Sequence, residues 1–209
     1  MRGGSVVVVS PRRWSDVLLF SVTAVELGIL LALTPALALP DWLYVLQHAM
    51  VLAIALTRRS PAVTDHSFGV GAAVAVSYAY PYAQVIYLQR VPGWSLWPDG
   101  GMVLITFGAL LSIVSLWTLR RWFGIRPALR GLTVNGPYCV VRHPMYLSYV
   151  LSDIGYNLQE SNIGTAVVVI TGWIAMLYRI ESEERVMAHH PAWAQYTDAV
   201  RYRLLPGVW

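Results

Sequence analysis

Apolar residues along this chain gather in long blocks separated by short polar turns. The blocks predict six helical spans, over residues 17–39, 42–57, 67–89, 101–119, 144–159 and 163–178. A helix crossing the hydrocarbon of a bilayer needs about 20 mostly apolar residues. The first, third and fourth blocks reach that length. The second, fifth and sixth are short, so five spans stand as an alternative to six. Pro81 predicts a kink in the third span. The tyrosines around it, Tyr78, Tyr80, Tyr82 and Tyr87, predict an interfacial belt, with a cavity lining as the alternative. Gly69-Val70-Gly71 follows no strand and reads as small-residue helix packing, not as a dinucleotide loop. From about Arg179 the chain turns charged and aromatic. A helix is expected to continue to His190, where Pro191 interrupts it. Trp193, Tyr196, Val200, Leu204 and Leu205 then predict the apolar side of a helix lying on the membrane face. The expected fold is all-α: a polytopic transmembrane helical bundle with a helical C-terminal tail.

Composition strengthens this picture. Only 12% of residues are charged, against about 25% in a typical soluble domain, and the mean hydropathy is +0.53. All 15 basic residues are arginine. With six spans, fourteen of them fall on the side of both termini and only Arg90 on the other. That asymmetry is the positive-inside pattern and predicts cytoplasmic termini; removing one span scrambles it. The pI near 9.4 then reflects topology and contact with anionic lipid, not nucleic acid. Arg12-Arg13 with Ala36-Leu37-Ala38 has parts of a signal-peptide pattern, but the apolar stretch between them suits an uncleaved anchor. Cys139, the lone cysteine, has no internal disulfide partner. No metal-ligating group is expected.

Chemistry concentrates in the second half. Tyr146, Tyr149, Asp153, Tyr156 and Glu160 recur every three or four residues, which puts them on one face of the fifth span. Such a face turns toward the bundle or a wet cavity, as a hydrogen-bond network or as a site. Glu26 and His48 lie in other spans, isolated, and read as packed structural residues. Arg142-His143-Pro144 stands where a loop enters the fifth span. Proline suits the first helical turn, and the free N–H groups there with Arg142 make an anion site, or else a lipid-phosphate contact with a histidine cap. After the last span come Glu181, Glu183 and Glu184. Glu181 and Arg185 are spaced for a surface ion pair; a carboxylate reserved for a cationic ligand is the other reading. An anion site facing a cation site suits a zwitterion with an amino-acid end.

These residues carry a resemblance. Gly131-Leu132-Thr133-Val134-Asn135-Gly136-Pro137-Tyr138, followed by Val141-Arg142-His143-Pro144-Met145-Tyr146, resembles the isoprenylcysteine carboxyl methyltransferase and phospholipid methyltransferase family of membrane enzymes. Glu183-Glu184, then Trp193, Tyr196, Arg203 and Pro206, resemble the rest of its pattern. The likeness covers residues 101–209 and departs in three places. Ser148 stands where the family usually has glycine, Trp193 where tyrosine is common, and one residue is missing between Glu184 and Trp193. Ser148 is expected to narrow or reshape the pocket.

The resemblance implies methyl transfer from S-adenosylmethionine (SAM) to a lipid-like acceptor. The cofactor is expected between the last two spans and the tail, held by Arg142, His143, Glu183 and Glu184, with Tyr138, Val141, Pro144 and Tyr146 shaping the site. Arg142, Glu184 and Arg203 are the expected catalytic set, and Tyr149, Asp153, Trp193 and Tyr196 the expected acceptor contacts. Residues 1–100 would form acceptor entry or scaffold, and 101–209 the methyltransferase-like core. Among acceptors, a prenylated cysteine carboxylate is favoured over a phospholipid amine or a small thiol. An NADPH-dependent membrane reductase is a rival, with Arg120, Arg121 and Arg126 as a 2′-phosphate site. A scaffold or transporter is another, although the chain shows no internal repeat.

Overall fold

The computed structural model describes residues 12–33 and 39–209; Ala36-Leu37-Ala38 lies outside them. The bundle is built from six long helices. They are α1 (Arg12–Leu33), α2 (Leu39–Thr57), α3 (Phe68–Arg90), α4 (Pro98–Leu119), α5 (Pro144–Gln159) and α6 (Ile163–Met187). A short α7 (Trp193–Ala199) follows in the tail. Among the described residues, α2, α6 and the segment Pro98–Trp122 are long and apolar enough to cross a bilayer. The second and sixth blocks therefore exceed their expected reach. α6 runs on to Met187 because nothing in Arg179–Val186 breaks a helix. α5 has only 16 residues, below the length for an upright span.

Large apolar side chains point outward, as lipid-facing helices require. Val103, Phe107, Leu110 and Val114 on α4 and Val167, Ile170 and Ile174 on α6 are all exposed. Inside, small residues let backbones approach. α4 and α5 cross at Gly101 and Gly155, where a Cβ on Gly101 would lie 2.5 Å from the Gly155 carbonyl. Two turns further, Gly108 meets Ser148 and Ser152. This is membrane-type packing through small residues. Gly69 makes the same use of its missing side chain, against the Tyr178 hydroxyl of α6.

Helix ends follow local chemistry. Asn162 and Thr165 form a capping box at the start of α6, each side chain accepting from the other's backbone N–H at 3.0 Å. Pro144 opens α5 without leaving a stray donor. The α3–α4 and α5–α6 turns are tied by Trp94 and Ser161, which exchange two backbone hydrogen bonds of 2.8 and 2.9 Å. At the other end a two-residue antiparallel ladder pairs Val63 with Leu129 and Thr64 with Ala128. The helix continues across Pro81.

The tail differs from expectation. Its helix is only seven residues long, and part of its apolar side faces the protein while Leu205 is exposed. Tyr196, Val200 and Leu204 are buried, with Leu204 in a cluster with Tyr146, Met176 and Ile180. Beyond α7 the chain runs back along the entry to α5, where Arg142 and His143 donate their N–H groups to the carbonyls of Tyr202 and Arg203, both at 2.9 Å. Those two donors find their partners in the tail, which docks it against the entry to α5.

Candidate functional site

A cavity of about 540 Å³ runs through the bundle from the α5 entry, under α7, to the polar residues of α1–α3. That volume is within the roughly 300–1,000 Å³ of ligand sites. Its mouth is framed by Tyr138, Arg142, His143, Tyr146, Glu183 and Trp193. The interior is lined by Tyr149, Asp153 and Tyr156 of α5 and by Tyr78, Tyr80 and Tyr82 of α3. The expected belt is therefore a cavity lining for three of its four tyrosines; Tyr87 lies on the outer surface. The α5 face is polar for the same reason, except Glu160, which accepts from the Gly93 N–H at 3.2 Å at the helix end.

Glu184 organises the mouth from behind. Its Oε2 accepts from Arg203 Nε at 2.9 Å and Nη2 at 2.7 Å, a two-pronged grip. Its Oε1 meets His143 Nε2 at 3.2 Å and Arg142 Nε at 3.1 Å. The Arg142 contact is close but poorly angled, and Nε makes no hydrogen bond. Glu184 and Arg203 do not line the cavity; Arg142 and His143 do. At the mouth the carboxylate that faces the cavity is Glu183, which accepts a short hydrogen bond from the Tyr146 hydroxyl. Val141 and Pro144 are buried beneath the mouth and line none of it. His143 stands at the N-cap of α5 without capping it, since its ring is turned to Glu184.

The motif loop has a geometric reason. Gly136 has φ of +57°, a left-handed conformation that favours glycine, and it starts the turn that carries Tyr138. The Tyr196 hydroxyl donates to the Tyr138 carbonyl at 2.8 Å, pinning α7 over the mouth. Burial pushes both phenols well above their ordinary pKa, so they stay neutral donors. Ser148 does not shape the pocket: it is 1% exposed, faces α4, and donates to the Met145 carbonyl at 2.6 Å.

Deeper in, Asp153 Oδ2 accepts from Trp173 Nε1 at 2.7 Å and from the Tyr80 hydroxyl at 2.9 Å. Glu26 and His48 are not isolated. His48 Nδ1 donates to the Tyr44 carbonyl at 2.7 Å, which leaves Nε2 facing Glu26 Oε2 at 3.7 Å, and Glu26 hydrogen-bonds Tyr82. Both line the cavity. Arg179 also lines it and was read only as a topological charge. The surface pair expected for Glu181 and Arg185 is replaced in part by Asp65, 4.0 Å from Arg185. Arg120 and Arg121 line a separate groove with Trp117 and Trp122, while Arg126 lines the cavity. The three arginines of the reductase reading thus do not converge.

Residues 99–190 match the phospholipid methyltransferase family. No curated protein matches the chain. That segment holds α4 to α6, the Arg142-His143-Pro144 entry and the Glu183-Glu184 pair, so the match falls on the region that carries the motifs. With α2, α6 and Pro98–Trp122 long and apolar enough to cross a bilayer, the chain is a helical membrane protein with a region similar to the phospholipid methyltransferase family.

Proposed function

We propose that the chain transfers a methyl group from SAM to a hydrophobic acceptor that reaches the cavity from the bilayer, with a carboxylate of the prenylated-cysteine type as the favoured nucleophile. The observation that supports this most is the mouth: a cation and a carboxylate face one cavity, and that cavity continues into the apolar bundle. The residues present fit the cofactor. Arg142, whose buried Nε lacks a hydrogen bond, is suited to the amino-acid carboxylate, and Glu183 to the amino group. Glu184, held by Arg203, orients Arg142 and His143 from behind.

SAM when bound supplies an electrophilic methyl on a positively charged sulfur. The faces of Tyr146 and Tyr149, packed edge-on with centroids 6.2 Å apart, attract such a cation by roughly 0.5–2 kcal/mol each. Tyr138 and Trp193 roof the mouth and exclude water, which strengthens every charge interaction inside. A carboxylate acceptor has no proton to lose, so the residues need only align it. An amine or thiol acceptor needs a base, for which His143 at the mouth and the Glu26–His48 pair at the far end are the cavity-lining candidates.

The test is calorimetric titration of detergent-purified protein with SAM and, in parallel, with NADPH. Micromolar SAM binding that is lost in Arg142→Ala and Glu183→Gln is the expected result. NADPH binding without SAM binding overturns the reaction class.

A further inference from the structure

Arg179 is the arginine of the cavity wall that is fully buried among the described residues, and no carboxylate holds it within 4.0 Å. It is 7% exposed. Its Nη2 donates to the Ile125 carbonyl at 3.0 Å, its Nε has no partner, and its guanidinium lies over the rings of Tyr146 and Tyr78 at 5.5 and 5.8 Å. Glu183, one helical turn on, could have paired with it. Instead Glu183 has turned to the Tyr146 hydroxyl and the His143 ring. A guanidinium with aromatic faces beside it and donors left over is a prepared fork for an oxyanion. A buried charge without a partner is otherwise costly, and neither ring faces nor one carbonyl neutralises it.

We infer that Arg179 is the binding site for an oxyanion, a carboxylate or a phosphate, carried by the methyl acceptor; this rests on the function proposed above. The position separates it from the cofactor's own charged end. Arg142 and Glu183 already offer a cation and an anion at the mouth. Arg179 precedes Glu184 by five residues, about 7.5 Å along the α6 axis, on the side of the bundle interior. The second ring beside it, Tyr78, comes from α3, outside the family-matched segment. An acceptor sliding in from the bilayer, apolar tail outward, meets Arg179 with its anionic head before it reaches the mouth.

The experiment uses full-length protein in uncharged detergent. Four amphiphiles are titrated with SAM present: a prenylated N-acetylcysteine, its methyl ester, a dialkyl phosphate and the matching neutral trialkyl phosphate. Wild type is expected to bind at least one anion about tenfold more tightly than its neutral partner, the yield of one charge-assisted fork. Which anion shows the preference identifies the source, carboxylate or phosphate. Arg179→Gln, and Arg179→Met as an apolar filler of the same slot, are expected to erase the preference while SAM affinity stays within about threefold. Arg179→Lys keeps the charge without the fork and retains part of it. No preference in wild type overturns the proposal, as does a preference that persists in either variant. So does a loss of SAM affinity in both variants, which returns Arg179 to the cofactor. An Arg179-dependent preference in a protein that binds no SAM would leave the anion site standing and remove the methyltransferase reading.

Discussion

At the mouth of the cavity charge answers charge, whereas at its far end carboxylates are held by neutral donors. Glu184 sits between Arg142 and Arg203; Asp153 takes a phenol and an indole, and Glu26 a phenol with an imidazole nearby. The two ends also differ in origin. Apart from Arg203, the charged cluster lies within residues 99–190, the family-matched segment. At the far end Tyr44, Tyr80, Tyr82, Glu26 and His48 lie outside it, while Asp153 and Trp173 lie within it. The contrast teaches a division of labour under the proposed function. Binding a zwitterionic cofactor needs fixed charges that any family member can share. Selecting an acceptor needs shape and hydrogen-bond polarity, and α1–α3 supply much of both at the far end.

Breaking the mouth should have the largest effect. Glu184→Gln keeps the shape but leaves Arg142 and Arg203 facing each other without their anion. A buried ion pair robbed of one partner costs about 3–5 kcal/mol; partial exposure of Arg203 lowers the expectation to about 2–3 kcal/mol. SAM affinity and transfer rate should fall by about 100-fold or more. Glu26→Gln, at the far end, should leave SAM affinity within about threefold and move the acceptor KM instead. Calorimetry and initial rates on both variants check this; equal losses of SAM affinity would dissolve the two-ended division.

Asp153→Ala tests the far end directly. It strands the Trp173 N–H and the Tyr80 hydroxyl in a buried wall, each at about 1–3 kcal/mol. The expected result is a melting temperature several degrees lower, with acceptor affinity reduced more than SAM affinity. Asp153→Asn keeps one acceptor oxygen and should recover about half the loss. A SAM isotherm that changes as much as the acceptor's would show that the network supports the mouth and not the far end.

How much of this was legible in the chain follows from what each residue needs. Arg142, Glu183 and Glu184 stood out because charges beside an apolar span must find partners, and motif order brought them together. Their true partners were not legible. Arg203 reaches Glu184 only because the tail turns back, and that turn is fixed by the N–H groups of Arg142 and His143, a tertiary need that no periodicity records. Trp193 to Leu205 had the spacing of a surface helix, and the same apolar residues serve equally well as a plug. Glu26 and His48 looked isolated because they sit on different helices and meet only when α1 packs on α2. Arg179, at the end of an apolar run, counted only among the arginines on the side of the termini. Ser148 was misplaced by analogy: a residue two past a motif tyrosine lies about 200° round the helix from it, and at Ser148 the backbone packs on Gly108 of α4.

Packing gives a sharper and smaller probe of the far end. A Cβ at Gly172 would lie 2.5 Å from the Tyr80 ring, so Gly172→Ala must push that ring aside and weaken its bond to Asp153. Overpacking of this kind costs about 1–3 kcal/mol. Acceptor KM should rise severalfold while the SAM isotherm is unchanged. Gly172→Ala combined with Tyr80→Phe should cost less than the sum of the two, because the displaced hydroxyl is already gone; strict additivity would show that the ring's position does not matter.

The smallest effect belongs to neither end. Asp65, in the α2–α3 loop, accepts from the Ser67 N–H at 2.8 Å and from the Ser182 hydroxyl at 2.7 Å. Partial burial pushes its carboxyl upward, but these hydrogen bonds and Arg185 outweigh it and hold the carboxyl below its ordinary value near 3.8. A depressed folded-state value means the contribution is fully present above the unfolded value and is lost as pH falls through the folded one. Ser182→Ala should therefore destabilise by about 0.5–1.5 kcal/mol at neutral pH, and the gap to wild type should narrow only below about pH 4. Neither SAM nor acceptor affinity should respond at any pH. If thermal melts show the gap narrowing near pH 6 to 7 instead, the titrating group is another one, and the coupling of this loop to α6 reaches the cavity after all.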